Sequence, residues 1–312
     1  MSEYRAHQNE RSSLATRAAL ASVALAVSLL GLKAYAAFAT HSMAMTGSLA
    51  DTGLDLIASL VTLAGVRIAA LPADSDHRFG HGKAEALVAL LQVVLITLSA
   101  AWIAYRSAQR LAAGAEIGSA ELGIGVSLVA MAATAALIFY QRRVIAATGS
   151  VAIATDRLHY QSDLLLNGAV IATLAIDQFA GLTGADAVFG LLIAAWLLVG
   201  AWRSSAHAID QLMDREWPEA QRAAFLAAAL EHPELAGLHD LRTRTSGSHN
   251  FVQFHVWVPG HWTVREAHDR LDLVEEALQA RFPGTEILMH LDPAGHTDRE
   301  TMLPSHLTEN VQ

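Results

Sequence analysis

Two pairs of ionisable residues sit inside long, mostly apolar stretches. Asp51 and Asp55 interrupt Ser48-Leu49-Ala50-Asp51-Thr52-Gly53-Leu54-Asp55, and His159 and Asp163 interrupt Leu158-His159-Tyr160-Gln161-Ser162-Asp163. An ionisable group at the centre of a bilayer costs about 2.5–3.5 kcal/mol, so three idle carboxylates would cost roughly 8–10 kcal/mol. Each pair is spaced i, i+4, which on a helix puts both side chains on one face about one turn apart. Two such helices set face to face would gather three carboxylates and one imidazole. That set suits a tetrahedral, borderline divalent ion such as zinc. Polar residues that only hold helices together are usually Ser, Thr, Asn or Gln, so the doubled acid pairs favour a metal site over a structural patch.

The elements that must position these residues are read from composition and hydropathy. Of 312 residues, 53% are hydrophobic and 16% charged, and mean hydropathy is +0.33, values far from a soluble average. A spanning helix needs about 20 mostly apolar residues. Six stretches qualify, at about 14–37, 43–70, 84–106, 119–141, 151–176 and 186–206. The first is too long for a signal peptide and ends in no small-residue cleavage site. Buried core helices of a soluble protein rarely reach this length six times over with such short polar connections.

Lys and Arg near the span ends orient the chain. The N-terminal arm has Arg5, Arg11 and Arg17; Arg67, Arg78 and Lys83 flank the second loop, and Arg142 and Arg143 lie in the fourth. Arg106 and Arg110 run against this trend, but the balance places both termini in the cytoplasm. Residues 1–206 hold thirteen acidic and thirteen basic side chains, whereas residues 207–312 hold seventeen acidic against eight basic and ten of the fifteen histidines. The net charge of −9 therefore belongs to the last third. That excludes a nucleic-acid surface and favours a binder of cations. With no cysteine, disulfides and thiolate metal sites are ruled out.

Beyond residue 207, Pro218 to Glu231 reads as a helix. Leu238 to Thr245 and Phe251 to Val258 alternate as strands joined by a turn over residues 246–250. Val264, Ala267, Leu271, Val274 and Leu278 have helical spacing, and Glu286 to Asp292 reads as a last strand. The expected fold is a membrane all-α bundle of six transmembrane helices (1–206) followed by an α+β domain of order α-β-β-α-β (207–295). The tail, 296–312, is polar and expected to be disordered.

The two acid pairs, with Phe79-Gly80-His81-Gly82-Lys83-Ala84-Glu85, His239-Asp240-Leu241-Arg242-Thr243-Arg244 and His290-Leu291-Asp292-Pro293, resemble the cation diffusion facilitators, in particular their bacterial zinc and ferrous-iron efflux branch. The resemblance covers most of the chain. It implies a homodimeric metal/proton antiporter of the cell inner membrane with a metallochaperone-like cytoplasmic domain, and Asp51, Asp55, His159 and Asp163 as its transport site. It further implies a loop site at Asp74, His77 and His81; His77 and His81 have ligand spacing by themselves if a helical turn forms there. It implies a binuclear site at the dimer interface from His239, His255, His268, His290 and Asp292. Leu291 departs from the pattern, offering only its backbone carbonyl. Lastly, it implies a charge pair of Lys83 with Asp214 between the domains.

The function expected is export of Zn²⁺, with Cd²⁺ or Fe²⁺ as further cargo, in exchange for protons, and zinc also as a regulatory ligand. One rival is an intramembrane metalloenzyme, which needs an open coordination position and typically His-Glu-x-x-His, absent here. Another is a metal channel, which favours weak ligands and fast exit over a closed cage.

Overall fold

A backbone in lipid must satisfy its own hydrogen bonds, so long apolar stretches become helices. The computed structural model describes residues 2–40, 43–113, 124–180 and 185–295. Six long helices come first: α1 (Ser2–Thr40), α2 (Met43–Ala69), α3 (Ala84–Ala113), α4 (Ile124–Thr148), α5 (Val151–Ala180) and α6 (Ala185–Leu212). Five of them contain stretches long and apolar enough to cross a membrane. The sixth, α5, has the length, at 30 residues, but its first half carries Asp156, Arg157, His159, Gln161 and Asp163. Most of the helices overrun the apolar windows read from sequence, α1 most of all, whereas α2 ends one residue short of its window. The start expected for the fourth span, near residue 119, and the tail 296–312 lie outside the described residues.

The chain divides into two compact units, one of them Arg11–Ile209 and the other beginning its main part at Asp210. In the first unit α5 packs against α2, α3 and α4. Small residues permit close approach: a Cβ on Gly65 of α2 would stand 2.4 Å from Val88 Cγ2 of α3, inside any van der Waals contact. The α4–α5 junction is tight. Gly149, at φ +68°, ends α4 in the left-handed conformation that glycine tolerates. Ser150 then accepts the Ile153 N–H at 3.3 Å and starts α5.

The second unit holds α7 (Glu219–Ala229), a 3₁₀ turn at Pro233–Leu235, β1 (Leu238–Ser246), β2 (His249–Val258), α8 (Val264–Arg281) and β3 (Thr285–Pro293). The sheet order is β1-β2-β3, with β1 and β2 antiparallel and β2 and β3 parallel. The turn is shorter than the sequence suggested: Ser246 and His249 already pair, leaving Gly247 and Ser248 as the two-residue connection. One face of β2, through Val252, Phe254, Val256 and Val258, is buried with Phe225 of α7 and Leu271, Val274 and Leu278 of α8. The helix α8 opens with a capping box between Thr263 and Glu266. The Thr263 backbone N–H, then its hydroxyl, hold the Glu266 carboxyl below its usual range.

Candidate metal centres

The helices α2 and α5 bring one acid pair to the other. His159 Nε2 lies 3.0 Å from Asp55 Oδ1 and 4.0 Å from Asp163 Oδ2. One ligand atom from each of Asp55, His159 and Asp163 falls within 4.8 Å of the others. Tetrahedral zinc with bonds of about 2.0–2.2 Å sets its ligand atoms about 3.3–3.6 Å apart. The trio thus needs only small side-chain movements to close on an ion. Asp51, one turn earlier on α2, is not gathered with these three. It is exposed and lines, with Asp55, His159 and Asp163, a cavity of about 790 Å³. Lys33 of α1 lines the same cavity, and its Nζ donates to Thr52 Oγ1 at 2.7 Å.

Next to this site lies a buried polar layer that the sequence reading missed. Asp156 is fully buried. It accepts from Ser22 of α1 (2.7 Å), Thr62 of α2 (3.3 Å), Gln92 of α3 (3.4 Å) and Gln141 of α4 (2.7 Å). Four helices thus donate to one carboxylate on α5. Tyr160 extends the layer, donating to Ser22 O at 3.0 Å and lying 2.8 Å from Ser59 Oγ. The signal was available: Asp156 precedes His159 by three residues, so both point to one side of the helix.

The loop between α2 and α3 makes the second cluster. Asp74 Oδ1 accepts the backbone N–H groups of Asp76 at 2.9 Å and His77 at 2.7 Å. These fold the chain into a local turn rather than a helix. The turn brings His77 Nδ1 to 3.5 Å and His81 Nε2 to 3.4 Å from Asp74. The His77 backbone N–H first, then that of Asp76 and the charges of His81 and His77, hold the Asp74 carboxyl below its usual range. Four residues on, buried Glu85 accepts from Ser150 Oγ at 2.6 Å, so the start of α3 is tied to the start of α5.

In the second unit, strand register assembles the third cluster. His239 pairs with His255, and His255 with His290, so three histidines stand in a row on the sheet face turned away from α8. Asp292, two residues along β3, shares that face and is buried. Its Oδ2 lies 2.9 Å from His255 Nδ1 and 3.5 Å from His239 Nε2, while Oδ1 lies 3.5 Å from His290 Nε2. His268 is not part of this group; it is exposed on α8 and pairs with Asp272 at 3.2 Å. Asp240, not singled out from sequence, lies 3.9 Å from His255 Nε2 where the β1–β2 register shifts. Lys83 belongs to the first unit and Asp214 to the second; within its own unit Asp214 lies 3.4 Å from Arg244 Nη1.

Comparison with known proteins bears on both units. Residues 19–213 match the cation efflux transmembrane domain, and residues 217–294 match the cytoplasmic domain of cation efflux proteins. The chain is 39% identical over 287 residues to the cation-efflux pump FieF of Salmonella newport, covering 92% of this chain and 95% of that one. The same figures hold for FieF of Salmonella typhimurium. A solved structure of a candidate zinc transporter, CzrB, in its zinc form is 36% identical, with a TM-score of 0.25, and covers 28% of this chain and 99% of its own.

Proposed function

The chain belongs to the cation efflux family, and from that premise we propose that it exports Zn²⁺ from the cytoplasm in exchange for protons. The observation that carries this reading is the gathering of Asp55, His159 and Asp163 ligand atoms within 4.8 Å, beside a cavity in the helical unit. Two oxygens and a nitrogen suit a borderline ion better than the all-oxygen sets that magnesium and manganese prefer. Asp51, already at the cavity wall, is the fourth ligand and closes the cage on the bound ion.

Exchange for protons follows from the donors. A carboxylate or imidazole ligates only when deprotonated, so metal entry expels protons and proton entry loosens the metal. The loop cluster at Asp74, His77 and His81 and the sheet cluster at His239, His255, His290 and Asp292 are assigned as further zinc sites. His268 joins the sheet cluster only across a homodimer interface, and zinc there regulates the dimer. Both termini lie in the cytoplasm, the membrane is the cell inner membrane, and Lys83 pairs with Asp214. The test is zinc flux in proteoliposomes. Asp55→Ala and Asp163→Ala should each insert normally and lose transport, because the remaining ligands cannot complete the cage. Near-normal flux by either variant would overturn the site.

A further inference from the structure

The cavity that holds the ligand trio also holds a cation of the protein's own. Lys33 comes from α1, a helix that supplies none of the proposed ligands. Its ammonium is fixed by the 2.7 Å bond to Thr52 Oγ1. Thr52 is buried and lines the same cavity as Asp51 and Asp55, so the bond anchors a positive charge within the cavity that both acids line. That charge interacts electrostatically with Asp51 and with Asp163 on α5. A lysine free to seek water would extend away from carboxylates so deep in a bundle only at the expense of this anchor.

We propose that Lys33 is a tethered counter-cation of the transport site, a positioning residue that sets how tightly the divalent ion is held and how fast it leaves. This rests on the reading of Asp51, Asp55, His159 and Asp163 as the transport site. Three carboxylates carry one negative charge more than a divalent ion supplies. Lys33 supplies the missing positive charge and leaves the loaded site neutral, which matters because uncompensated charge is expensive inside a bilayer. The same ammonium repels the incoming ion. The site therefore binds zinc less tightly than three carboxylates and an imidazole would alone, and the repulsion lowers the barrier to release.

The two effects give a signature in kinetics. In proteoliposomes, Lys33→Met removes the charge at similar length, and KM for zinc should fall about tenfold while kcat also falls. Lys33→Arg keeps the charge and should restore both. Damage to packing alone would lower kcat without tightening KM, and arginine would not rescue it. Should Lys33→Met not fold, Lys33→Gln carries the same test, since it keeps an N–H for Thr52 without the charge. Unchanged or raised KM in the neutral variant, or an arginine variant indistinguishable from it, would overturn the proposal. Asp163→Ala is measured alongside: if it transports like the native chain, the site reading itself has failed. If it is silent while the neutral Lys33 variant keeps the native KM, only the role of Lys33 falls.

Discussion

Replacing Asp156 with leucine should destabilise the helical unit, and the size of the loss can be worked from its partners. Ser22 keeps a second acceptor, Ala18 O at 3.2 Å, and Thr62 keeps Ala58 O at 3.0 Å. Their hydroxyls lose little. Gln92 and Gln141 are less well placed. Each has a buried side-chain oxygen without a hydrogen-bond partner, and beyond Asp156 the side-chain nitrogens donate to Thr62 and Ser22. A buried polar group left unsatisfied costs about 1–3 kcal/mol, so two such amides put the loss at about 2–6 kcal/mol. Gln141→Leu alone removes one donor from a buried carboxyl group and should cost about 1–3 kcal/mol. The double variant removes donor and acceptor together, so its loss should fall short of the sum by at least about 1 kcal/mol. Unfolding in micelles by SDS titration or steric trapping reads all three. Additivity within about 0.5 kcal/mol would refute the claim that Asp156 and these donors act as one buried hydrogen-bond network.

If zinc is bound by the His239, His255, His290 and Asp292 cluster and by His268 across a homodimer interface, it should tighten the dimer by mass action. A fragment of residues 207–312 should then associate more strongly with zinc than with chelator in analytical ultracentrifugation, and equal association would remove the regulatory role. His159→Asp makes the transport site all-oxygen and should cost zinc transport at least about tenfold. It should retain cadmium better, admit manganese, and alter the pH profile, because the imidazole is the ligand whose ordinary pKa lies near neutrality; an unchanged metal order and pH profile would mean that His159 is not a ligand. Thr263→Ala should lower the stability of the same fragment by about 1 kcal/mol through loss of the α8 cap. Because Glu266 is held below its usual range by Thr263, its stabilising share is full above its unfolded pKa of about 4.3 and is lost as pH falls through the lower folded value. Thermal melts that are flat across that window would contradict the capping box.

What the sequence disclosed, and what it concealed, follows from how each signal is encoded. Helices α1 to α4 and α6 advertise themselves by apolar length, while α5 shows itself mainly through the paired His159 and Asp163 in its polar first half. Alternation along β2 turned His255 away from the core, and the structure adds what alternation cannot: the register that sets His239, His255 and His290 side by side. The i, i+4 spacing put Asp51 and Asp55 on one face, yet only Asp55 reaches the trio, because spacing says nothing of how far along a face the partner helix sits. Asp156 escaped notice because its partners are single neutral residues on four other helices, separated by up to 134 positions in sequence. Lys33 escaped because an isolated lysine in a span is ordinarily read as reaching for water.

The central claim is that one metal ion and protons exchange on Asp51, Asp55, His159 and Asp163. The most direct measurement follows zinc and pH together inside proteoliposomes holding the native chain, with a pH gradient imposed in either direction. Zinc uptake should saturate, proceed with proton movement the opposite way, accelerate when the proton gradient opposes the metal's direction of travel, and vanish in Asp163→Ala. Zinc flux that is indifferent to the gradient, or that survives intact in Asp163→Ala, would contradict it.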